Sequence, residues 1–175
     1  MKRITKVTIT HVADTDPDTS FLGEYTDSLE DGHILVSTGE FVDDVAAEDI
    51  PQKGRDFRCF CPYAGGLKLS DKDYRQYALQ DFRRMDALQR QEWYFLGVRA
   101  QAQVEVSPDG KTWTVHCLTS PGLWGIESDS DEKHLEETAK DELAHLRESL
   151  LEFGFTRRQV SSAFKKCDIQ NPEYR

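Results

Sequence analysis

Seven carboxylates in two short segments are the side chains of this sequence best suited to chemistry. They are Asp14, Asp16 and Asp18 in the first segment and Glu127, Asp129, Asp131 and Glu132 in the second. Carboxylates at alternate positions can collect Ca²⁺ or Mg²⁺, because these cations prefer oxygen ligands. The second segment lacks the central Gly and the distal Glu of an EF-hand loop. Local roles are the alternative, since acids in turns accept hydrogen bonds from nearby amides and acids at a helix start complement its dipole.

The same carboxylates could form a metal-assisted hydrolase site. Such a site would combine the segment 14–18 with Glu127 or Asp129, and it requires the two segments to converge in the fold. A Cys–His nucleophile has less support, because Cys61 has no His close to it in the sequence. No phosphate-binding glycine loop is present.

Cysteines and histidines lack the spacing of a metal site. Cys59 and Cys61 form a C-x-C pair, without the second Cys or His pair that zinc requires. The five histidines include no i, i+4 pair on a helix, and we interpret them as surface residues: His11, His33, His116, His134 and His145. The four cysteines are interpreted as reduced structural thiols, because no secretion signal follows Met1. We therefore expect no cofactor.

Alternating apolar residues predict an antiparallel hairpin of strands 93–106 and 111–119. Further strands are predicted over 3–12, 34–36 and 57–61, an acidic connection over 43–56, and a loop over 121–125. Trp93 and Phe95 fall opposite the apolar face of their strand. They could either expose an aromatic patch or lie beneath a helix.

Apolar residues at helical spacing predict two main helices, about 70–90 and 129–153. Ser70 gives a capping-box-like start to the first, and Ser128 or Ser130 is expected to cap the second. Gly154 fits a left-handed C-cap, and Thr156 opens a short C-terminal helix. The predicted fold class is α+β, an antiparallel sheet packed against these helices. We expect a single domain over 1–166 and a frayed tail over 167–175.

Composition excludes several classes of protein. The 175 residues include 32 acids and 22 Lys or Arg, which gives a net charge of −10. No apolar run approaches the ~20 residues that span a bilayer. A membrane protein, a secreted disulfide scaffold and a simple basic nucleic-acid binder are therefore not expected. The negative charge is concentrated, with thirteen acids against two bases in 14–56 and eight against two in 127–142.

Several stretches together resemble a group of small bacteriophage and mobile-element proteins. The resemblance covers residues 14–25 and 57–155, and its most specific part is GLWGIESDSD at residues 122–131. Pro121 departs from the pattern, which has another Gly there. The group has no settled activity, so the resemblance implies a setting, a phage or plasmid product in the cytoplasm of a bacterial host, and no catalytic residues.

The acidic blocks in this setting favour a binding protein over an enzyme. We expect it to inhibit a host protein or nucleoprotein complex that acts on nucleic acid, as anti-CRISPR and anti-restriction factors do, without binding nucleic acid itself. The predicted contact residues are the acids Asp16, Asp18, Glu127, Asp129, Asp131 and Glu132, with Trp124 as an aromatic anchor. A self-associating structural or regulatory phage protein and the metal-assisted hydrolase are the alternatives.

Overall fold

The computed structural model describes residues 1–50, 57–63, 69–167 and 173–174. The chain packs into two units. The first consists of Met1–Pro17 and Tyr94–Arg175, and the second of Asp18–Trp93. Within the described ranges, no helix has the length and apolar character needed to cross a membrane.

Strands and helices are both well represented, and the predicted α+β class is confirmed. In chain order the elements are β1 (Lys2–Ala13), β2 (Gly23–Thr26), β3 (Ile34–Leu35), two short 3₁₀ helices (Val42–Asp44 and Ala47–Asp49), β4 (Cys59–Pro62), α1 (Asp71–Gln89), β5 (Phe95–Val106), β6 (Thr114–Thr119), β7 (Leu123–Glu127), α2 (Glu132–Glu152), α3 (Arg157–Phe164) and β8 (Glu173–Tyr174). The hairpin, the two main helices and the short C-terminal helix are where the sequence predicts them, with ends that differ by a few residues.

A five-stranded sheet forms the base of the first unit. Its order is β6-β5-β1-β8, and β7 also pairs with β5. β1 and β5 run antiparallel from Lys2 opposite Val106 to Ala13 opposite Leu96. β6 lies beside the second half of β5, and β7 beside its first residues. The C-terminal end of β1, the N-terminal end of β5 and the strand β7 therefore lie next to one another at one end of the sheet.

Alternation along β5 explains the core of the first unit. Every second residue from Leu96 to Val104 is buried and packs in one cluster with the apolar stripe of α2. The buried members of that cluster from β1, β5 and α2 are Val7, Ile9, Leu96, Val98, Ala100, Ala102, Val104, Ala139, Leu143, Leu146 and Leu150. Burying one Leu or Val side chain contributes about 1.5–3 kcal/mol, so this face fixes the register of the two long strands.

The start of α2 differs from the prediction. Asp131 caps the helix, with its carboxylate accepting a hydrogen bond from the His134 amide at 2.8 Å. Neither Ser128 nor Ser130 is the cap, because Asp131 stands directly before the first helical residue. The amide of Ser130 instead donates to the Glu127 carbonyl in the preceding turn. Among residues that can cap, the one adjacent to the first helical turn has the reach that capping requires.

Two predictions at the C-terminal end of α2 and the start of α3 are confirmed. Gly154 follows α2 with a φ of +92°, the left-handed conformation that glycine adopts without strain. Thr156 and Gln159 form a capping box: the Thr156 hydroxyl accepts from the Gln159 amide, and the Gln159 side chain accepts from the Thr156 amide. Two of the free donors at the start of α3 are thereby satisfied.

The second unit has its own smaller sheet and its own helix. Its three strands have the order β2-β4-β3 and pair antiparallel. α1 begins after Ser70, whose hydroxyl accepts from the Asp73 amide as predicted, and packs against β2 and β4. Phe60 of β4 and Phe82 of α1 bring their ring centroids to 5.6 Å. Each of the two predicted main helices thus covers a sheet of its own unit.

Expectations for residues 93–95 and 121–125 need correction. Trp93 and Phe95 are only 3% and 2% exposed, so they do not form the aromatic patch considered for self-association. The indole N–H of Trp93 donates to the Arg84 carbonyl at 3.0 Å. Residues 121–125 are not only a loop, because β7 begins at Leu123 and pairs with β5.

Some predictions concern residues outside the described ranges. These are residues 51–56 of the acidic connection and residues 168–172 and 175 of the tail. The described part of the tail is Cys167 and β8, which pairs in parallel with the C-terminal part of β1. The single domain over 1–166 stays a prediction.

Candidate acidic binding site

The two acidic segments that the sequence analysis considered together do lie next to each other, at one end of the large sheet. The Gly125 amide donates to the Asp14 carboxylate at 3.1 Å, a contact between residues 111 positions apart. The Asp14 amide also donates to the Phe95 carbonyl at 2.9 Å. Because Phe95 is paired with Glu127 across β5 and β7, Asp14 and Glu127 flank the same strand end. The segment after β1 and the segment after β7 are thus neighbours.

The indole of Trp124 packs against the backbone of a glycine, Gly97, which we call its platform. Its ring lies over Gly97 of β5, at a bulge where no β7 residue is directly opposite. A Cβ added at Gly97 would lie 2.6 Å from Cδ2 and 2.7 Å from Cζ3 of the indole, closer than real atoms pack. Trp124 is nevertheless 43% exposed. The platform therefore fixes an aromatic side chain that still faces solvent.

Other side chains fix the backbone on the N-terminal side of Trp124. The Gly122 amide donates to the carboxylate of Glu142 at 2.8 Å, and Glu142 is only 5% exposed. Ser120 is tied to β5, because its amide donates to the Ala100 carbonyl and its hydroxyl accepts from the Ala100 amide, both at 2.9 Å. Together with the Asp14 bond, these contacts preorganise the segment, which reduces the entropy lost when a partner binds.

The acids after β7 lead into α2. Ser128 exchanges two hydrogen bonds with Tyr94, at 2.8 and 3.0 Å, and holds the chain against the start of β5. Beyond it, Asp129 and Glu132 are exposed, and Asp131 is exposed as well as capping α2. Asp131 therefore has a local role at the helix start, as the cap that the prediction had assigned to Ser128 or Ser130. Asp129, Asp131 and Glu132 still present their charges to solvent.

The first acidic segment is divided between the two units. Asp14 and Asp16 belong to the first unit, and the Asp16 amide donates to the Asp14 carboxylate at 3.2 Å. Asp18 belongs to the second unit, where it accepts from the Ser20 amide at 2.9 Å. Hydrogen bonding to Ser20 lowers the Asp18 pKa below its ordinary value. The turn interpretation is thus confirmed for Asp14 and Asp18, and Asp18 is described only within its own unit.

We call the remaining group the acidic end. It consists of Asp14, Asp16, Glu127, Asp129, Asp131 and Glu132 together with Trp124. Glu127 is half-buried, Asp14 is partly covered, and the other four acids are exposed. The nearest base along the chain, Lys133, pairs with Glu137 at 3.7 Å. The acidic end therefore combines six carboxylates with the exposed side chain of Trp124.

Nucleophiles and metal ligands do not gather at this surface. Within the described residues, no group of three or more His, Cys, Asp and Glu side chains is arranged to hold a metal ion. Burial raises the pKa of the Cys59 and Cys61 thiols, so fewer thiolates form at neutral pH. Of the histidines predicted at the surface, His11 and His33 are in fact buried, at 7% and 8% exposure.

Sequence reasoning found the acids and Trp124 but not the residues that hold them. Gly97 and Glu142 fix the segment together with Asp14, which was already a candidate carboxylate, and of the two missed residues only Gly97 has a signal in the sequence. A glycine inside a strand commonly marks a bulge or a close approach of another group. Glu142 lies among apolar residues of the α2 stripe, where a carboxylate requires a partner when buried.

The acidic end can bind by charge and by aromatic contact. Its exposed carboxylates complement Lys and Arg, and Trp is among the residue types enriched at binding hot spots. No protein-family model, curated protein or solved structure matches the chain.

Proposed function

We propose that this chain is a non-catalytic binding protein that inhibits a host protein by covering a basic surface made to hold nucleic acid. The observation that carries the proposal is the hydrogen bond from the Gly125 amide to the Asp14 carboxylate. This bond joins two acidic segments, and Gly125, its donor, directly follows the exposed residue Trp124. A surface with this composition has what is needed to compete with a phosphate backbone.

Electrostatics limits how such a protein can work. At physiological salt the Debye length is about 8 Å, so the exposed acids must lie against the partner to compete with phosphates. Charge then steers association, while the aromatic anchor supports a long-lived complex. A clamped segment suits this role, because its backbone loses little freedom on binding.

The resemblance to phage and mobile-element proteins supplies the setting of the proposal. The partner would be a host nucleoprotein or defence complex in the bacterial cytoplasm, of the kind that anti-CRISPR and anti-restriction factors inhibit. The protein would not itself bind nucleic acid at this end, since the acidic end repels phosphates.

The test compares two variants with the same change in net charge. Asp16→Lys with Asp129→Lys reverses one exposed acid in each joined segment, and neither residue caps a helix. Glu148→Lys with Glu152→Lys reverses two exposed acids at the other end of α2. The immobilised wild-type chain and both variants capture proteins from a bacterial lysate, with and without competing duplex DNA.

We expect the wild-type chain to capture a nucleic-acid-binding complex that duplex DNA displaces. Asp16→Lys with Asp129→Lys should bind at least about tenfold more weakly, because two attractions become repulsions. Glu148→Lys with Glu152→Lys should bind as the wild type does. Equal binding by both variants, or a complex that DNA does not displace, would contradict the proposal.

A further inference from the structure

A second surface of the first unit has the opposite charge. A cavity of about 600 Å³ lies between β1 and α3. Six consecutive residues of β1, from Arg3 to Thr8, line one side of it. Since neighbouring side chains of a strand point to opposite faces, a row of consecutive residues means that the cavity follows the edge of the strand. We call this cavity the basic groove.

Along the groove, the described residues leave the edge of β1 open. On its other side β1 is paired with β5, and on this side β8 pairs with it only at Thr10 and His11. From Arg3 to Thr8, no other described strand pairs with this edge. In a strand paired on one side, every second residue directs its N–H and C=O away from the partner, which leaves a template for a further strand.

Positive charge comes from both walls of the groove. β1 contributes Arg3 and Lys6, and the α3 side contributes Arg158 and Lys166, and among the described lining residues the acid is Glu173. Lys6 is paired with Glu173, and Arg3 with Glu105. In the described part of the chain, neither Arg158 nor Lys166 forms an ion pair. Two cations of the α3 wall are thus available to a ligand.

Spacing on α3 places these cations along the groove. Arg158 and Ser162 are one helical turn apart, and Lys166 follows four residues later, just beyond the helix. At one end of the groove, the Gln159 side chain donates to the Lys2 carbonyl at 3.0 Å. At the other end lies Glu173 of β8. Between these limits, six residues of β1 extend about 20 Å, the length of a six-residue extended peptide.

We propose that the basic groove binds an extended acidic peptide segment of a partner protein, which adds a strand to the open edge of β1. Main-chain hydrogen bonds to the edge would give affinity, and Arg158 and Lys166 would select acidic side chains. This proposal is independent of the function proposed for the acidic end.

Protection of a free strand edge against unwanted pairing explains only part of the positive charge of the basic groove. Lysines and bulges blunt free strand edges, and β1 has Lys2, Lys6 and a register shift between Ile4 and Lys6. Arg158 and Lys166 belong to the opposite wall and do nothing for the edge itself. Their position across from the strand is what favours an acidic ligand.

The experiment uses a fluorescent hexapeptide of alternating Glu and Val and measures its binding to the full chain by anisotropy. A second peptide has Gln in place of Glu, and a third carries N-methyl groups on alternate amides, which block strand pairing. A single-stranded oligonucleotide tests whether phosphates serve as well. Arg158→Glu with Lys166→Glu is compared with Arg157→Glu with Lys165→Glu, which makes the same charge change outside the groove.

We expect the Glu–Val peptide to bind and the Gln and N-methyl peptides to bind at least about tenfold more weakly. Arg158→Glu with Lys166→Glu should reduce affinity by a similar factor, and the matched pair should change it little. Absence of binding, equal loss in both variants, equal binding of the N-methyl peptide, or preference for the oligonucleotide would each overturn the proposal. These outcomes do not depend on the lysate experiment, so either proposal can fail alone.

Discussion

β1 connects two regions of opposite charge that are built in different ways. Residues from Arg3 to Thr8 line the basic groove, and the strand ends at Ala13, next to Asp14 of the acidic end. At about 3.3 Å per residue, Lys6 and Asp14 are about 26 Å apart along the strand, far beyond a Debye length of about 8 Å. In physiological salt, each region therefore presents its charge to ligands independently.

The two regions differ in how the hydrogen-bonding groups of their backbone are used. In the acidic end, carboxylates of the protein accept the Gly122 and Gly125 amides, so these two amides are not available to a partner. In the basic groove, the main chain of residues 3–8 lies along an open edge. Exposed carboxylates beside an aromatic ring suit recognition by side chains, whereas an open strand edge between basic walls suits recognition by main-chain hydrogen bonds.

Gly97→Ala is the change with the largest expected effect. It should impair the acidic end and leave the basic groove unaffected. The new Cβ would lie 2.6 Å from Cδ2 of Trp124, so the indole must leave its platform. We expect the free energy of unfolding to fall by about 1–3 kcal/mol, the usual cost of overpacking, and binding at the acidic end to weaken. Denaturant unfolding measures the first effect. Peptide binding in the basic groove should not change.

A double-mutant cycle checks the cause of this loss. In a Trp124→Ala background, Gly97→Ala should cost little, because the ring that it displaces is absent. The same cost in both backgrounds would mean that Gly97 acts through the strand and not through Trp124.

Thr156→Ala should have a smaller effect, centred on the basic groove. It removes the hydroxyl that accepts from the Gln159 amide in the capping box. Loss of such a cap costs about 1 kcal/mol, and Gln159 is also the residue that ties α3 to Lys2. We therefore expect the Glu–Val peptide to bind more weakly and the acidic end to bind its partner normally.

Ser161→Ala is the matched control for Thr156→Ala. Ser161 is exposed on the same helix and does not line the basic groove. It should leave both stability and peptide affinity unchanged. A loss of peptide affinity in Ser161→Ala equal to that in Thr156→Ala would mean that the cap does not position the groove wall.

Local pattern accounts for most of the fold. Alternation from Leu96 to Val104 predicted β5, and helical spacing of residues such as Leu143, Leu146 and Leu150 predicted α2, because one buried face imposes each period. The acids were expected at the surface, since charged side chains stay in water unless paired, and Asp16, Asp129, Asp131 and Glu132 are exposed. These features depend on neighbours within a few residues.

Contacts between distant residues account for what the sequence did not predict. Asp14 and Gly125 are 111 positions apart, and no pattern near either one points to the other. β8 is two residues long, too short for a period to be recognised. The basic groove depends on β1 and α3, which lie at opposite ends of the chain and contact each other in the fold. Pairings of this kind are set by packing, which composition and spacing do not encode locally.

The smallest expected effect concerns the pH dependence of the strand that the two regions share. His11 of β1 is 7% exposed, and burial lowers its pKa below the ordinary value of 6.5. The unfolded chain therefore binds a proton more readily than the folded chain, so the free energy of unfolding falls as the pH drops below about 6.5. His11→Gln should flatten this dependence by part of the ~1.4 kcal/mol per pH unit that one full proton gives.

Denaturant unfolding between about pH 7 and about pH 5 tests this prediction, with His116→Gln on the exposed strand β6 as the control. An unchanged slope in His11→Gln, or an equal change in His116→Gln, would contradict it. Because β1 carries both the acidic end and the basic groove, protonation of His11 should weaken the two regions together. Gly97→Ala and Thr156→Ala should each weaken one of them, which distinguishes a fault in the shared strand from a fault in either binding surface.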